Sequence, residues 1–166
     1  ATQNVTLSGA VTVNNATWNV TTSETLNING SVSGSNMTKT GGGTLTLSGS
    51  NNIASTTING GILEAAYANA FGSNNTVTVN DGTLLVSTDD AINSLEISLG
   101  KNSTATFGKL VFSGDYSGEV GKLTLSQNSI IDLGHGNIAL EFHDMAMGFY
   151  NPVSYTHLTL PTILLV

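Results

Sequence analysis

Hydrophobic residues alternate with Thr, Ser and Asn in short segments of this chain, and turn-forming residues separate the segments. A clear example is Thr44-Leu45-Thr46-Leu47, which directly follows Gly41-Gly42-Gly43. Alternate side chains of an extended strand point to the same face, so the two leucines are expected to share one side. No segment has the hydrophobic spacing of a long helix. The pattern therefore predicts an all-β protein made of short strands.

The predicted strands carry one to three alternating apolar residues each. Up to residue 63 they are Val5/Leu7, Val11/Val13, Trp18/Val20, Leu26/Ile28, Leu45/Leu47, Ile58 and Ile62/Leu63. Beyond it they are Val77/Val79, Leu84/Val86, Leu95/Ile97/Leu99, Ala105/Phe107, Leu110/Phe112, Leu123/Leu125, Ile131/Leu133 and Ile138/Leu140/Phe142. Gly, Asn, Ser and Asp punctuate them, with a turn expected from Ser48 to Ser55. At most one helical turn is expected, at Ala65 to Phe71.

Both a β-sandwich and a β-solenoid are built from many short strands. Self-similarity favours the solenoid, because T-L-T-L-S-G at Thr44 to Gly49 returns as K-L-T-L-S-Q at Lys122 to Gln127, and V-T-L-S-G stands at Val5 to Gly9. Repeats that cannot bury an apolar face alone are expected to stack. Stacking would also align Asn and Thr in ladders along the axis.

The segment from Lys39 to Leu63 resembles the autotransporter-associated β-strand repeat of passenger regions in bacterial autotransporter-like surface proteins. The matching positions are Lys39, Gly41, Gly43, Thr44, Leu45, Leu47, Gly49, Asn51, Thr57, Ile58, Gly61 and Leu63. The family usually has an aromatic residue and a Gly-rich turn at the middle of the repeat, whereas Asn52-Ile53-Ala54-Ser55 is shorter and has no glycine. The resemblance implies a right-handed parallel β-helix in a single stack, with these residues in structural roles.

Two regions are expected on this basis. Residues 1–151 form a β-solenoid passenger fragment with its best repeat at 38–63. Residues 152–166 contain V-S-Y-T-H-L-T-L-P-T, which looks like a translated sequencing adapter, so they are expected to be an artefact. The chain begins at Ala1 with no basic and apolar leader, from which we expect that a signal peptide has been removed or that the N-terminus is missing.

Composition narrows the possible partners. The net charge is −7 with only four basic residues, so a surface that neutralises nucleic-acid phosphates is not expected. The chain has no cysteine, which rules out disulfides, cysteine-ligated zinc and thiol catalysis. No segment has the roughly 18 consecutive apolar residues of a membrane helix, so membrane insertion by this fragment is not expected. The resemblance implies display at the cell surface or release outside the cell.

Candidate metal ligands have no recognised spacing. The acidic residues considered are Asp81, Asp89, Asp90, Asp115, Asp132 and Asp144, and the histidines are His135 and His143. Calcium-binding nonapeptides and EF-hand loops are absent. Solvated turn carboxylates and two exposed histidines are therefore expected, with no cofactor and no metal.

Catalysis is not expected either. There is no Gly-x-Ser-x-Gly elbow and no Arg, and Lys39, Lys101, Lys109 and Lys122 are scattered. Trp18, Tyr67 and Tyr116 could stack on sugar rings or pack in the core and corners. We expect a structural passenger or stalk segment that supports display and secretion, with neighbouring coils of the same polypeptide as its partners and adhesion to a glycan or cell-surface ligand as an added role. The alternative is a carbohydrate-binding or polysaccharide-degrading β-helix.

Overall fold

The computed structural model describes residues 3–72, 75–100, 107–126 and 129–147, and these residues form fifteen strands. The first eight are β1 (Asn4–Leu7), β2 (Val11–Val13), β3 (Ala16–Asn19), β4 (Thr25–Ile28), β5 (Val32–Thr40), β6 (Thr44–Leu47), β7 (Asn52–Ile58) and β8 (Ile62–Ala65). The others are β9 (Thr76–Val79), β10 (Gly82–Val86), β11 (Glu96–Leu99), β12 (Gly108–Phe112), β13 (Tyr116–Leu125), β14 (Ser129–Asp132) and β15 (Ile138–Met147).

The strands lie in two parallel sheets. Sheet A has the order β1-β4-β6-β8-β10-β12-β14, and sheet B has the order β15-β13-β11-β9-β7-β5-β2, with β3 also paired to β5. We call one strand of sheet A, together with the sheet B strand or strands that follow it, one coil. Each coil stacks on the previous one by parallel pairing, as in the Thr25–Thr44 and Thr44–Ile62 pairs. The prediction of an all-β parallel solenoid is therefore confirmed.

Coil length varies while the stacking continues. The step is 18 residues between the paired Thr44 and Ile62, and 26 residues between the paired Gly82 and Gly108. The shortest coil contains the repeat whose middle lacks a glycine turn. Its residues 52–55 belong to β7, so the turn expected from Ser48 to Ser55 is shorter than predicted and the strand begins at Asn52.

The core is a set of ladders in which apolar residues of successive coils lie above one another. Leu26, Leu45, Leu63 and Leu84 form one ladder in sheet A, since each is paired with the next. The last three of these leucines are fully buried. Because no coil can bury its inward face alone, stacking supplies the hydrophobic stabilisation, at roughly 25 cal/mol per Å² of apolar surface removed from water.

Two parts of the strand prediction need correction. The pattern assigns no strand between Ile28 and Leu45, yet β5 occupies nine residues there. It also marks only Leu123 and Leu125 in a region where β13 begins at Tyr116. Ala65 closes β8, and the stretch after it is a turn in which the Gly72 amide donates to the Asn69 carbonyl at 2.9 Å.

Several expectations fall outside the described residues. They concern Ala105, Lys101, the side chain of Asp144, and the proposed adapter at 152–166. The described residues contain no helix of the length and apolarity needed to cross a membrane.

Candidate interaction surface and buried repeat residues

Lys39 is the first of the matched repeat positions and is fully buried, with 0% of its surface exposed. Its Nζ donates to the carbonyl oxygens of Thr40 and Gly41 at 2.8 Å and of Gly60 at 3.1 Å. An ammonium group has three donors, so all three are used. Because Gly60 belongs to the next turn of the solenoid, the lysine joins the turns of two successive coils.

The charge state of Lys39 responds to this burial. Removal of the ammonium group from water lowers the pKa of Lys39 to about 8, since desolvation disfavours the charged form. At neutral pH the ammonium group is still mostly protonated, and the three carbonyl oxygens accept hydrogen bonds from it. Its role is therefore internal, and it is not available to a ligand.

Glycines of the repeat allow the coils to approach closely. Gly41 and Gly61 have φ angles of 75° and 67°, in the left-handed region that favours glycine. A Cβ at Gly43 would collide with the Thr21 carbonyl oxygen, and one at Gly49 with the Gly30 carbonyl oxygen. These positions therefore exclude side chains because of the backbone of the preceding coil.

Asn51 connects three coils through its side-chain amide. Its Oδ1 accepts from the Val32 amide at 2.7 Å, and its Nδ2 donates to the Ala70 carbonyl at 2.7 Å. The side chain is buried, so these two bonds replace those that water would make. Asn75, which lies outside the repeat motif, is also buried and donates to the Phe71 carbonyl.

The remaining repeat residues divide between the core and the surface. Leu45, Leu47, Ile58 and Leu63 have 0% exposure and lie in the core. Thr44 and Thr57 are half-buried residues of β6 and β7 and alternate with the core positions. The matched positions thus fill the core and form the turns, and Thr44 and Thr57 lie on the outer sides of their strands.

Uncharged polar residues cover the outer side of sheet B in its first four coils. We call this surface the Asn/Thr face. It consists of Asn15, Thr17, Asn19, Asn36, Thr38, Thr40, Ser55, Thr57, Asn59, Thr76, Thr78 and Asn80, all exposed or half-buried. Its central rank is a row of threonines, because Thr17 pairs with Thr38, Thr38 with Thr57, and Thr57 with Thr78.

Side chains of the Asn/Thr face bond along the solenoid axis. Asn36 Nδ2 donates to Asn15 Oδ1 at 2.6 Å, and Ser55 Oγ donates to Asn36 Oδ1 at 2.8 Å. Asn80 Nδ2 donates to Asn59 Oδ1 at 2.9 Å. These contacts match the prediction that Asn aligns in ladders. Asn36 and Ser55 belong to a second row of paired residues, which continues through Thr76 to Glu96 and Lys122. The uncharged area ends at these two charged residues.

Four of the candidate carboxylates lie between strands or at a strand end, and three of these accept backbone hydrogen bonds. Asp89 accepts from the Ser117 amide at 3.0 Å, Asp115 from the Asn137 amide at 2.8 Å, and Asp132 from the Gly134 amide at 2.9 Å. Asp90 instead accepts from the Asn93 side-chain amide at 2.7 Å. In the part of the chain that the structure describes, no three acidic, histidine or cysteine residues come together as metal ligands.

The two candidate histidines, His135 and His143, lie on different elements. His135 is exposed in the turn after β14. His143 lies on β15 and pairs with Glu119 at 2.9 Å between Nε2 and Oε1, with both side chains exposed. The hydrogen bond from His143 to the Glu119 carboxylate, with the negative charge of that group, raises the pKa of His143. Residue spacing alone could not predict this pair, because it depends on the β13–β15 register.

The three aromatic candidates have different settings. Tyr116 is buried against the Phe112 ring, with a centroid distance of 5.0 Å, and burial followed by the Asp90 charge raises the pKa of its hydroxyl. The hydroxyl lies near the Ile92 backbone but makes no well-formed hydrogen bond to any residue that the structure describes. Trp18 is half-buried against the core, and Tyr67 is exposed in a turn. Because Tyr116 is buried, the three rings do not share one exposed surface.

One stretch of the chain matches a known family. Residues 37–65 match the model of the passenger-associated-transport repeat. The matched stretch contains the whole of the predicted repeat 38–63, so the resemblance to an autotransporter passenger repeat is confirmed. No curated protein and no solved structure matches the chain.

Proposed function

We propose that this chain, in which residues 37–65 are an autotransporter passenger repeat, is a structural stalk segment of a surface-displayed or secreted bacterial protein. The observation that carries the proposal is the combination of this repeat with a continuous stack of parallel coils. Each coil adds about 4.8 Å along the axis, the spacing of neighbouring strands. The proposed work of the segment is to supply length and stiffness.

The proposed mechanism of secretion support is sequential folding. A coil that has formed offers the unpaired edges of its two strands and an open apolar ladder to the next coil. Nearest-neighbour stacking of this kind allows folding to propagate along the axis. Folding of emerged coils would then oppose backward movement of the chain during export.

A display assay with two matched variants tests this proposal in the full-length protein. Scrambling residues 38–63 keeps composition and length but destroys the stacking order, so surface display should fall strongly. Deletion of residues 44–61 removes one whole step of the register and brings Thr25 against Ile62. Display should largely survive that deletion. Unchanged display of the scrambled variant would contradict the proposed role in secretion.

We propose a scaffold without catalytic activity. Three of the candidate carboxylates accept backbone hydrogen bonds, and the described cationic side chains do not form a groove that would hold an acidic polysaccharide. A turnover assay on a panel of polysaccharides is expected to give no product above that of the heat-denatured protein. Release of sugar by the folded protein alone would favour the alternative of a polysaccharide-degrading β-helix.

Adhesion through the Asn/Thr face is the second function that we propose. The supporting observation is that this face is free of charge on a chain with a net charge of −7. Hydroxyl and amide groups both donate and accept hydrogen bonds, which suits the hydroxyl groups of a neutral glycan. The strand spacing repeats these groups about every 4.8 Å.

The adhesion proposal is tested by placing one charge on each side of the solenoid. Thr57→Lys lies at the centre of the Asn/Thr face, whereas Thr25→Lys is the matched change on sheet A. Binding of the displayed protein to arrays of neutral glycans should fall for Thr57→Lys and remain for Thr25→Lys. Equal binding by both variants and the unchanged protein would place any glycan contact elsewhere.

A further inference from the structure

The chain contains two Asn-Gly sequences, Asn29-Gly30 and Asn59-Gly60, and both asparagines are exposed. An asparagine followed by glycine is chemically susceptible, because the glycine amide nitrogen can attack the asparagine side-chain carbonyl carbon without hindrance from a Cβ. The attack requires that this nitrogen be free to lose its proton. The environment of the two glycine amides therefore decides which asparagine reacts.

The two glycine amides differ in their hydrogen bonds. The Gly30 amide donates to the Leu7 carbonyl oxygen at 3.3 Å, across the first pair of coils. Among the described residues, the Gly60 amide has no acceptor, although the neighbouring Asn59 amide donates to the Lys39 carbonyl at 2.8 Å. In the related Asp81-Gly82 sequence the glycine amide is hydrogen-bonded, like that of Gly30, since Gly82 donates to the Phe107 carbonyl at 3.4 Å.

We propose that Asn59 is a site of spontaneous deamidation in the folded protein and that Asn29 is protected by the bond from Gly30 to Leu7. The proposal does not depend on the function of the solenoid. It needs only water, and no enzyme or cofactor. Its basis is the exposed Asn59 side chain followed by a glycine amide that has no hydrogen-bond acceptor among the described residues.

The reaction proceeds in two balanced steps. The Gly60 nitrogen loses its proton to water and bonds to Cγ of Asn59, the bond from Cγ to the side-chain nitrogen breaks, and ammonia leaves after taking up a proton. A cyclic succinimide results. Water then adds to one of the two ring carbonyl carbons and opens the ring, which gives either aspartate or isoaspartate.

The two products have different structural consequences. Aspartate at 59 still accepts from Asn80 Nδ2, so the contact of 2.9 Å is retained while a negative charge enters the Asn/Thr face. Isoaspartate inserts an extra backbone carbon before Gly60. Because the Gly60 carbonyl accepts from Lys39 Nζ at 3.1 Å, this product disturbs the buried lysine contact as well.

Peptide mapping by mass spectrometry tests the proposal on the intact protein. The folded protein and a guanidinium-unfolded sample are incubated in ¹⁸O-labelled water, which marks each hydrolysed succinimide. The rate at Asn59 is divided by the rate at Asn29 in each sample. This ratio should be about fivefold larger in the folded sample, which corresponds to the roughly 1 kcal/mol of one hydrogen bond that the Gly30 amide must first break. An equal or smaller ratio in the folded sample would overturn the proposal.

Gly60→Ala provides a second test that needs little rearrangement. Gly60 lacks a positive φ, and an added Cβ would lie 3.3 Å from the Gly41 carbonyl oxygen, so a small shift accommodates it. The methyl group hinders the attack, and labelling at residue 59 should fall while labelling at Asn29 stays unchanged. Asn59→Gln, which keeps the amide but forms a less favourable six-membered ring, should also lose the label. Undiminished labelling at residue 59 of the Gly60→Ala protein would refute the attack by this nitrogen.

Discussion

At the scale of single residues, Lys39 combines burial with complete hydrogen bonding. Its three donors meet three backbone carbonyls, and two of these, from Gly41 and Gly60, have no other donor among the described residues. Buried carbonyls without partners are costly. The lysine is therefore a structural residue, and its replacement should lower the free energy of unfolding.

Lys39→Met should lower the free energy of unfolding by about 2 kcal/mol, because it leaves these carbonyls unpaired while it preserves most of the side-chain volume. Urea unfolding monitored by circular dichroism measures the loss. Lys109→Met is the matched control on the outer side of β12, where the side chain is only half-buried. The control should change the free energy by less than about 0.5 kcal/mol. Equal effects of the two substitutions would argue against the carbonyl contacts.

The lowered pKa of Lys39 also predicts a pH dependence. The folded chain releases this proton near pH 8, whereas the unfolded chain holds it up to the ordinary lysine value of 10.5. The unfolded state therefore binds more protons between these values, and raising the pH through this window should increase the contribution of Lys39 to stability. Below pH 8 the contribution should be constant. The difference in urea midpoint between the natural protein and Lys39→Met, followed from pH 7 to 10.5, measures it. A difference in midpoint that does not grow with pH would contradict the lowered pKa of Lys39.

Thr56 shows the opposite situation, a buried hydroxyl that has no hydrogen-bond partner within the described part of the chain. Its side chain lies in the core between Met37 and Val77 of the neighbouring coils. Thr56→Val should raise the free energy of unfolding by about 1 kcal/mol, because it removes an unsatisfied polar group at nearly constant volume. Thr57→Val is the control on the opposite side of the same strand. A destabilised Thr56→Val protein in thermal melts would indicate that the hydroxyl has a partner.

At the scale of elements, the alternating pattern predicted most strands but not β5. That strand contains Gly34-Ser35-Asn36, which has the composition of a turn. The preceding coil does break at this place, into β2 and β3, and both pair with β5. The extended conformation of residues 34–36 could not be predicted from the sequence of β5 alone, because it is stabilised by pairing with β2 and β3 of the preceding coil and with β7 of the next coil.

Gly34 is the position in β5 where a side chain should be least tolerated. Its φ is 134°, and an added Cβ would collide with the Val13 carbonyl oxygen. Gly34→Ala should therefore lower the free energy of unfolding by about 2 kcal/mol or more, through backbone strain and loss of pairing at this point. Gly9→Ala is the control, since no atom of the described residues lies within 4 Å of a Cβ there. Thermal unfolding midpoints compare the two, and a tolerated Gly34→Ala would show that β5 can shift away from β2.

At the scale of the whole molecule, periodicity predicted the solenoid, but only the register reveals the Asn/Thr face. The threonines of its central rank are separated along the chain by 21 residues from Thr17 to Thr38 but by 19 from Thr38 to Thr57. Such unequal steps hide the alignment in the sequence. For the same reason the Lys39 contacts were not predicted, although the lysine itself was recognised as part of the repeat.

The direction of the interstrand hydrogen bonds has a mechanical consequence. In a stack of parallel strands these bonds run along the solenoid axis, so tension applied between the two ends would separate one coil from the next rather than shear a whole sheet. Released coils of 18 to 26 residues should extend by about 60 to 90 Å each. Optical-tweezer pulling should therefore give a series of small sawtooth events. A single large event would mean that all coils unfold together. If the coils unfold one at a time, the stalk can lengthen stepwise under a sudden pull and so limit the force that it transmits.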